Sequence, residues 1–312
     1  MPVNATLATY SDWTYGAAVA IYFFAAVLYL CEAAFARPEK AKERELVAAG
    51  GAQADGTWTP GLVVKPELSR VERLGRMGLA LNVLGAGLHL ASLVLRGFAT
   101  ERAPWGNMYE YGSLLTLAGV VTWLVLVRKF PVRRLGGFVL VPIVILMFLG
   151  GTVLYADAAP VTPPLQSYWL VVHVSVISIS SGVLLVPGVA SVMYLLKSSG
   201  RARFRKLPEA DVLDRLAYRS TVFAFPLFTI GIICGAIWAE SAWGRFWGWD
   251  PKETVAFVSW VVYAGYLHAR ATAGWRGRPA AWINSFAFAL TVFNLFFINL
   301  VTTGLHSYAG VG

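Results

Sequence analysis

Eight predominantly apolar runs divide the chain, at residues 13–35, 74–95, 109–127, 138–154, 168–196, 221–239, 254–269 and 281–303. Most are near the roughly 20 residues that a helix needs to cross a lipid bilayer. None shows the strict apolar–polar alternation of a half-buried strand. The pattern predicts an all-α, polytopic membrane helix bundle of about eight transmembrane helices. The fifth run contains Pro187-Gly188, which predicts a kink. Residues 38–70, rich in Ala and Gly, are expected to form a flexible loop, partly helical around 41–49. No internal repeat and no soluble domain interrupts the pattern. Residues 1–73 hold the first transmembrane helix and this loop. Residues 74–312 form the main membrane domain, with a tryptophan-rich segment at 240–254.

Composition supports the membrane reading. Charged residues are 14% of the chain, hydrophobic residues 57%, and the mean hydropathy is +0.60, whereas soluble domains carry about 25% charged residues. The net charge of +9 would suit a nucleic-acid binder, but the placement of the cations argues otherwise. Of the 26 Lys and Arg, 21 fall in alternate connections and Arg76 sits within the first turn of the run that follows one of them; the remaining four are Arg96, Arg102, Arg245 and Lys252. By the positive-inside rule the rich connections are cytoplasmic. Both termini and the tryptophan segment are then non-cytoplasmic, and nucleic acid is excluded as a partner in favour of membrane lipid. The first run has no basic region ahead of it, so it reads as an uncleaved helix. Cys31 and Cys234 lie in separate apolar runs and read as small buried hydrophobes.

The stretch Trp243-Gly244-Arg245-Phe246-Trp247-Gly248-Trp249-Asp250-Pro251-Lys252-Glu253-Thr254 fits neither strand nor buried helix. It places three indoles and two glycines between two membrane runs. Tryptophans also serve as interfacial anchors, but these are clustered rather than single. Asp250-Pro251-Lys252-Glu253 is a helix start with acceptor, proline and glutamate in the capping-box positions. Glu110 reads likewise as a helix-start carboxylate.

Four histidines are available: His89, His173, His268 and His306. An isolated membrane histidine often only hydrogen-bonds between helices. Depth separates these four. His173 lies about 8 Å inside its helix, and His306 just beyond the end of the last run, so both are near the tryptophan level. His268 lies about 20 Å from that level, in the opposite half. Two imidazoles from different helices beside a tryptophan surface suit a haem held through its iron. Haem propionates need cations, and Arg96, Arg102, Arg245 and Lys252 are the four on that side.

These residues carry a resemblance. Residues 243–250 match the WGxxWxWD (WWD) signature of haem-handling proteins, and the trailing Pro251-Lys252-Glu253-Thr254 resembles the CcsA (ResC) branch of System II cytochrome c biogenesis. Pro104, Asn107, Tyr109 and Glu110 are similar to another stretch of that branch. The resemblance implies that haem b is bound at the non-cytoplasmic face and joined by thioether bonds to the CXXCH motif of an apocytochrome c. It implies axial ligation by His173 and His306, and a platform of Trp243, Gly244, Trp247, Trp249 and Asp250. It implies a deeper haem contact at His268, whose second histidine, in the family's fused versions, comes from the portion that corresponds to a ResB-like (Ccs1-like) partner. The activity implied is that of a cytochrome c synthase (haem lyase) complex. The alternative is a haem transporter or exporter, with attachment completed by another protein. The Ala, Gly, Val and Arg usage favours a bacterial plasma membrane over a thylakoid.

Overall fold

A computed structural model describes residues 3–35, 69–161, 163–301 and 304–305. Among them the secondary structure is helical. The long helices are α1 (Ala5–Phe35), α2 (Arg70–Thr100), α3 (Met108–Lys129), α4 (Gly136–Thr152), α5 (Tyr168–Ser198), α6 (Ala210–Trp243), α7 (Pro251–Ala271) and α8 (Arg278–Val301). Each expected run corresponds to one of them. Seven are long and apolar enough to cross a membrane, α4 when taken with the short helical turn before it (Arg133–Thr152). The exception is α7, whose polar first turn and late His268 and Arg270 dilute it. The loop at 36–68 lies outside the described residues.

Helix boundaries depart from expectation where polar residues belong to the helix. The α6 helix starts at Ala210, eleven residues ahead of the apolar run. Its extra turns bury Leu213, Leu216, Ala217 and Ser220, a stripe at helical spacing among charges. Arg270 pairs there with Asp214 at 2.6 Å and lies 4.6 Å from the Tyr218 ring. The α5 helix continues unbroken through Pro187.

The helices pack as two groups of four, α1–α4 and α5–α8, joined along α3 and α5. Successive helices alternate in direction, so two ends are defined. The tryptophan segment lies at the end that carries the starts of α1, α3, α5 and α7. Without water between helices, close packing and internal hydrogen bonds hold such a bundle. In the first group Tyr15, Tyr22 and Tyr29 recur every seventh residue of α1, and all three are buried. They need small partners: a Cβ on Gly85 would lie 2.7 Å from Tyr22, and one on Gly136 2.7 Å from Tyr29. At the end opposite the tryptophans, Glu32 of α1 is held by Arg133, with Oε1 accepting from Nε at 2.9 Å.

The α3–α5 junction is tighter still. A Cβ on Gly182 would collide with the Leu115 carbonyl oxygen and lie 2.9 Å from the Gly119 nitrogen. Both obstacles are backbone, so no rotamer change relieves them. We expect Gly182→Ala to cost about 1–3 kcal/mol, the usual range for overpacking. Gly112→Ala, with nothing within 4 Å of its Cβ, is expected to be neutral or slightly stabilising. Thermal unfolding in detergent compares the two, and equal midpoints would contradict this packing.

Candidate functional site

The tryptophan segment is shaped by its two helix ends. Gly244 closes α6 in the left-handed region at φ 71°, its N–H donating to the Glu240 carbonyl at 2.8 Å. Trp249 also has positive φ, at 56°, which costs a residue with a Cβ about 1–2 kcal/mol. That strain is held by the start of α7. Glu253 Oε2 accepts from the Gly248 N–H at 2.9 Å and the Asp250 N–H at 3.2 Å. Asp250 is the N-cap, with Oδ1 accepting from the Lys252 N–H at 2.9 Å. The capping box expected from sequence is present, with Pro251 in the first turn.

Behind this loop a cleft opens between α3, α5, α6, α7 and α8. Its empty space, mouth included, is about 1270 Å³, and its walls are mainly apolar. Concave sites with apolar walls and a few polar groups suit small molecules and cofactors. Trp238, Trp243, Phe246 and Trp247 line it, facing Trp105, Met108 and Tyr111 on the other side. Its polar groups include His173, Lys252, Thr291 and Asn294.

His173 is held in a defined tautomer. Its Nδ1 lies 2.8 Å from the Gly231 carbonyl oxygen. A carbonyl only accepts, so Nδ1 carries the proton and the lone pair of the neutral ring resides on Nε2. Metal-ligating histidines are commonly oriented in this way, by donation from the other nitrogen. The ring stacks on Trp238, with centroids 6.2 Å apart and planes 6° from parallel. Trp238 in turn meets Trp243 edge-on at 4.7 Å. Gly235 makes room: a Cβ there would lie 2.6 Å from His173 Cε1.

The structure brings His173, Trp243, Trp247 and Lys252 to one cleft. Lys252 Nζ lies 5.8 Å from the Tyr111 ring centroid. Trp249 lies outside the lining, 66% exposed, and packs edge-on against Trp247 at 5.8 Å. Arg245 is exposed on the loop and lies over Gly248. Gly244 serves as the α6 cap, and Asp250 as the α7 cap. His268 lies in the last turn of α7, at the far end from the tryptophans. His306 lies outside the described residues.

Arg96 and Arg102 point elsewhere. Both bind the buried Glu110: Arg96 Nε donates to Oε1 at 3.0 Å, and Arg102 Nη1 to Oε2 at 2.8 Å. His89 is fully buried, with Nε2 at 2.9 Å from Ser113 Oγ and Nδ1 at 3.5 Å from the Tyr22 hydroxyl. It joins α1, α2 and α3, an interhelical role. Sequence reading missed Trp105, Tyr111 and Trp238. A usable signal for Trp238 was its position at the end of an apolar run, five residues before Trp243.

Fold and site together define a polytopic helical membrane protein with an indole-walled cleft at one end. Residues 105–306 match the family described as Cytochrome C assembly protein. The cytochrome c biogenesis protein CcsA of Synechococcus elongatus is 34% identical over 309 residues, covering 80% of this chain and 91% of that one. The CcsA protein of Chlamydomonas reinhardtii is 37% identical over 226 residues, 69% of this chain and 64% of that one. Among solved structures, cytochrome c haem lyase CcmF superposes with a TM-score of 0.63 at 18% identity. That alignment covers 99% of this chain and 49% of the CcmF chain, so the fold is shared with about half of the larger protein. The chain belongs to the cytochrome c assembly family, as a CcsA-type cytochrome c biogenesis protein.

Proposed function

We propose that the cleft receives haem b and presents it at the non-cytoplasmic face for thioether attachment to the CXXCH motif of an apocytochrome c, in a complex with a ResB-like membrane partner. The observation that carries this reading is His173: an imidazole oriented through Nδ1, lining a cleft walled by indoles. Aromatic walls suit the porphyrin faces, and Nε2 suits the iron. Lys252 is the cation at the cleft for a propionate, with Arg245 at the loop above it. His306 would be the second residue to hold the iron. In attachment each cysteine thiol adds across a vinyl group, sulfur bonding one carbon and hydrogen the other. The chain's part is to orient the two vinyls and keep water from the haem face. The 22-to-4 division of cations supports a cytoplasmic position for the end opposite the tryptophans.

A second reading, haem export with attachment elsewhere, is favoured by His268. It lies at the far end of α7, where an imidazole from the partner would complete a second, deeper hold on haem. The host membrane is proposed to be a bacterial plasma membrane. The purified chain is expected to show a Soret band with a low-spin spectrum. A chain that purifies folded and takes up no haem, even when haem is supplied, refutes the reading. Coexpression with the partner and a CXXCH substrate separates the two functions: covalent product supports the synthase, and trapped haem without product supports export.

A further inference from the structure

The helix cap uses only part of Asp250. Oδ1 faces the first turn of α7, while Oδ2 accepts the backbone N–H of Leu305 at 2.7 Å, across 55 residues. Asp250 is 6% exposed, so water competes little for this bond. Gly304 lies against the same oxygen: a Cβ there would collide with Oδ2 and come within 3.5 Å of Pro251 Cδ. A glycine is therefore required for the chain to come this close. One carboxylate thus joins the tryptophan loop, the start of α7 and the chain after α8. The residue that follows Leu305 is His306.

We propose that Asp250 is a positioning residue for His306. Its Oδ2 fixes the backbone of Gly304 and Leu305 against the tryptophan loop, so that the next side chain would serve the same iron as His173. Asp250 then acts on haem through the chain it holds, not by touching the porphyrin. This rests on the haem reading above.

Asp250→Asn tests it in the full-length chain. Asparagine caps helices about as well as aspartate, and its single oxygen can keep the bond to the Lys252 N–H. Its amide nitrogen then faces the Leu305 N–H, donor against donor. The thermal midpoint is expected to stay near wild type. Ferric haem should shift from low-spin toward high-spin, and haem retention should weaken by about 10- to 100-fold, the usual effect of losing a group that orients a ligand. Added imidazole should restore the low-spin spectrum. His306→Ala should give the same shift, and the double variant should be no worse than His306→Ala alone, because residues acting through one contact are not additive.

Asp250→Ala should add a loss of stability, separating cap from latch. A low-spin Asp250→Asn protein beside a high-spin His306→Ala protein overturns the proposal, as does full additivity in the double variant. A wild-type chain without a Soret band, or His306→Ala without spectral change, instead rejects the haem reading itself.

Discussion

The His173→Ala protein is expected to lose its low-spin haem spectrum and to release haem at least about 100-fold more readily than wild type. Removing a group that merely orients a ligand costs about 10- to 100-fold in metal affinity, and here the ligand itself is removed. The effect should be specific to the imidazole, since the helix around it is well packed. Val174 and Leu170 are buried on the same helix and join Trp238 in one apolar cluster. The alanine variant should therefore unfold near the wild-type temperature. Gly235→Leu makes an independent version of the test. Its side chain would occupy the space of the His173 ring, 2.6 Å from where a Cβ would stand. The histidine remains in the sequence but is pushed from its place, and the spectrum should change as in His173→Ala. Trp238→Leu keeps the ligand and loses the parallel stack. It should cost only a few-fold, in line with about 0.5–1.5 kcal/mol for an aromatic pair. An unchanged Soret band in His173→Ala would remove His173 from the iron and the central reading with it.

The fold was legible because the bilayer leaves the backbone few choices. Every membrane-spanning segment must satisfy its own hydrogen bonds, so apolar runs become helices. Helix ends in water or headgroups obey no such rule, and there the boundaries moved, as at Ala210. The site was legible in part. Local chemistry predicted the Asp250 cap, because the cap involves neighbours two and three residues away. Depth along a helix could place His173 near the tryptophans. It could not tell which side of its helix a histidine faces, and His89 faces Ser113 and Tyr22 inside the first four helices. Counting cations by segment had the same limit. Arg96 and Arg102 were counted as partners for propionates, whereas the structure engages both with Glu110. That pairing spans 14 and 8 residues across a helix-to-helix turn, beyond the reach of a local pattern.

Glu110→Ala is expected to destabilise the protein by about 3–5 kcal/mol, the cost of leaving buried charge without its partner. Glu110 is 1% exposed, and the side chains of Arg96 and Arg102 are 2% and 15% exposed. Its two oxygens accept from both guanidiniums, and Oε2 also accepts from the Gly106 N–H at 2.8 Å. Asp12 is 3.6 Å from Arg96 but is itself 31% exposed, so it offsets only part of the loss. Glu110→Gln should fall between wild type and alanine, because the amide oxygen still accepts while the charge is gone. Pairing Glu110→Leu with Arg96→Met should recover part of the stability lost in Glu110→Ala, since the more buried cation goes together with the carboxylate and only Arg102, 15% exposed, is left without it. The exposed Arg245→Ala should change stability by less than about 0.5 kcal/mol. Glu110 also reaches the cleft indirectly. It fixes Gly106, and its own N–H is capped by Asn107 Oδ1 at 2.9 Å. Gly106, Asn107 and Met108 line one wall of the cleft. Haem retention should therefore fall in Glu110→Ala and return in the apolar double variant only as far as that wall is restored. Thermal unfolding and haem titration on the same samples measure both effects. A Glu110→Ala protein with a wild-type midpoint would show that the three charges do not hold this end of the bundle together.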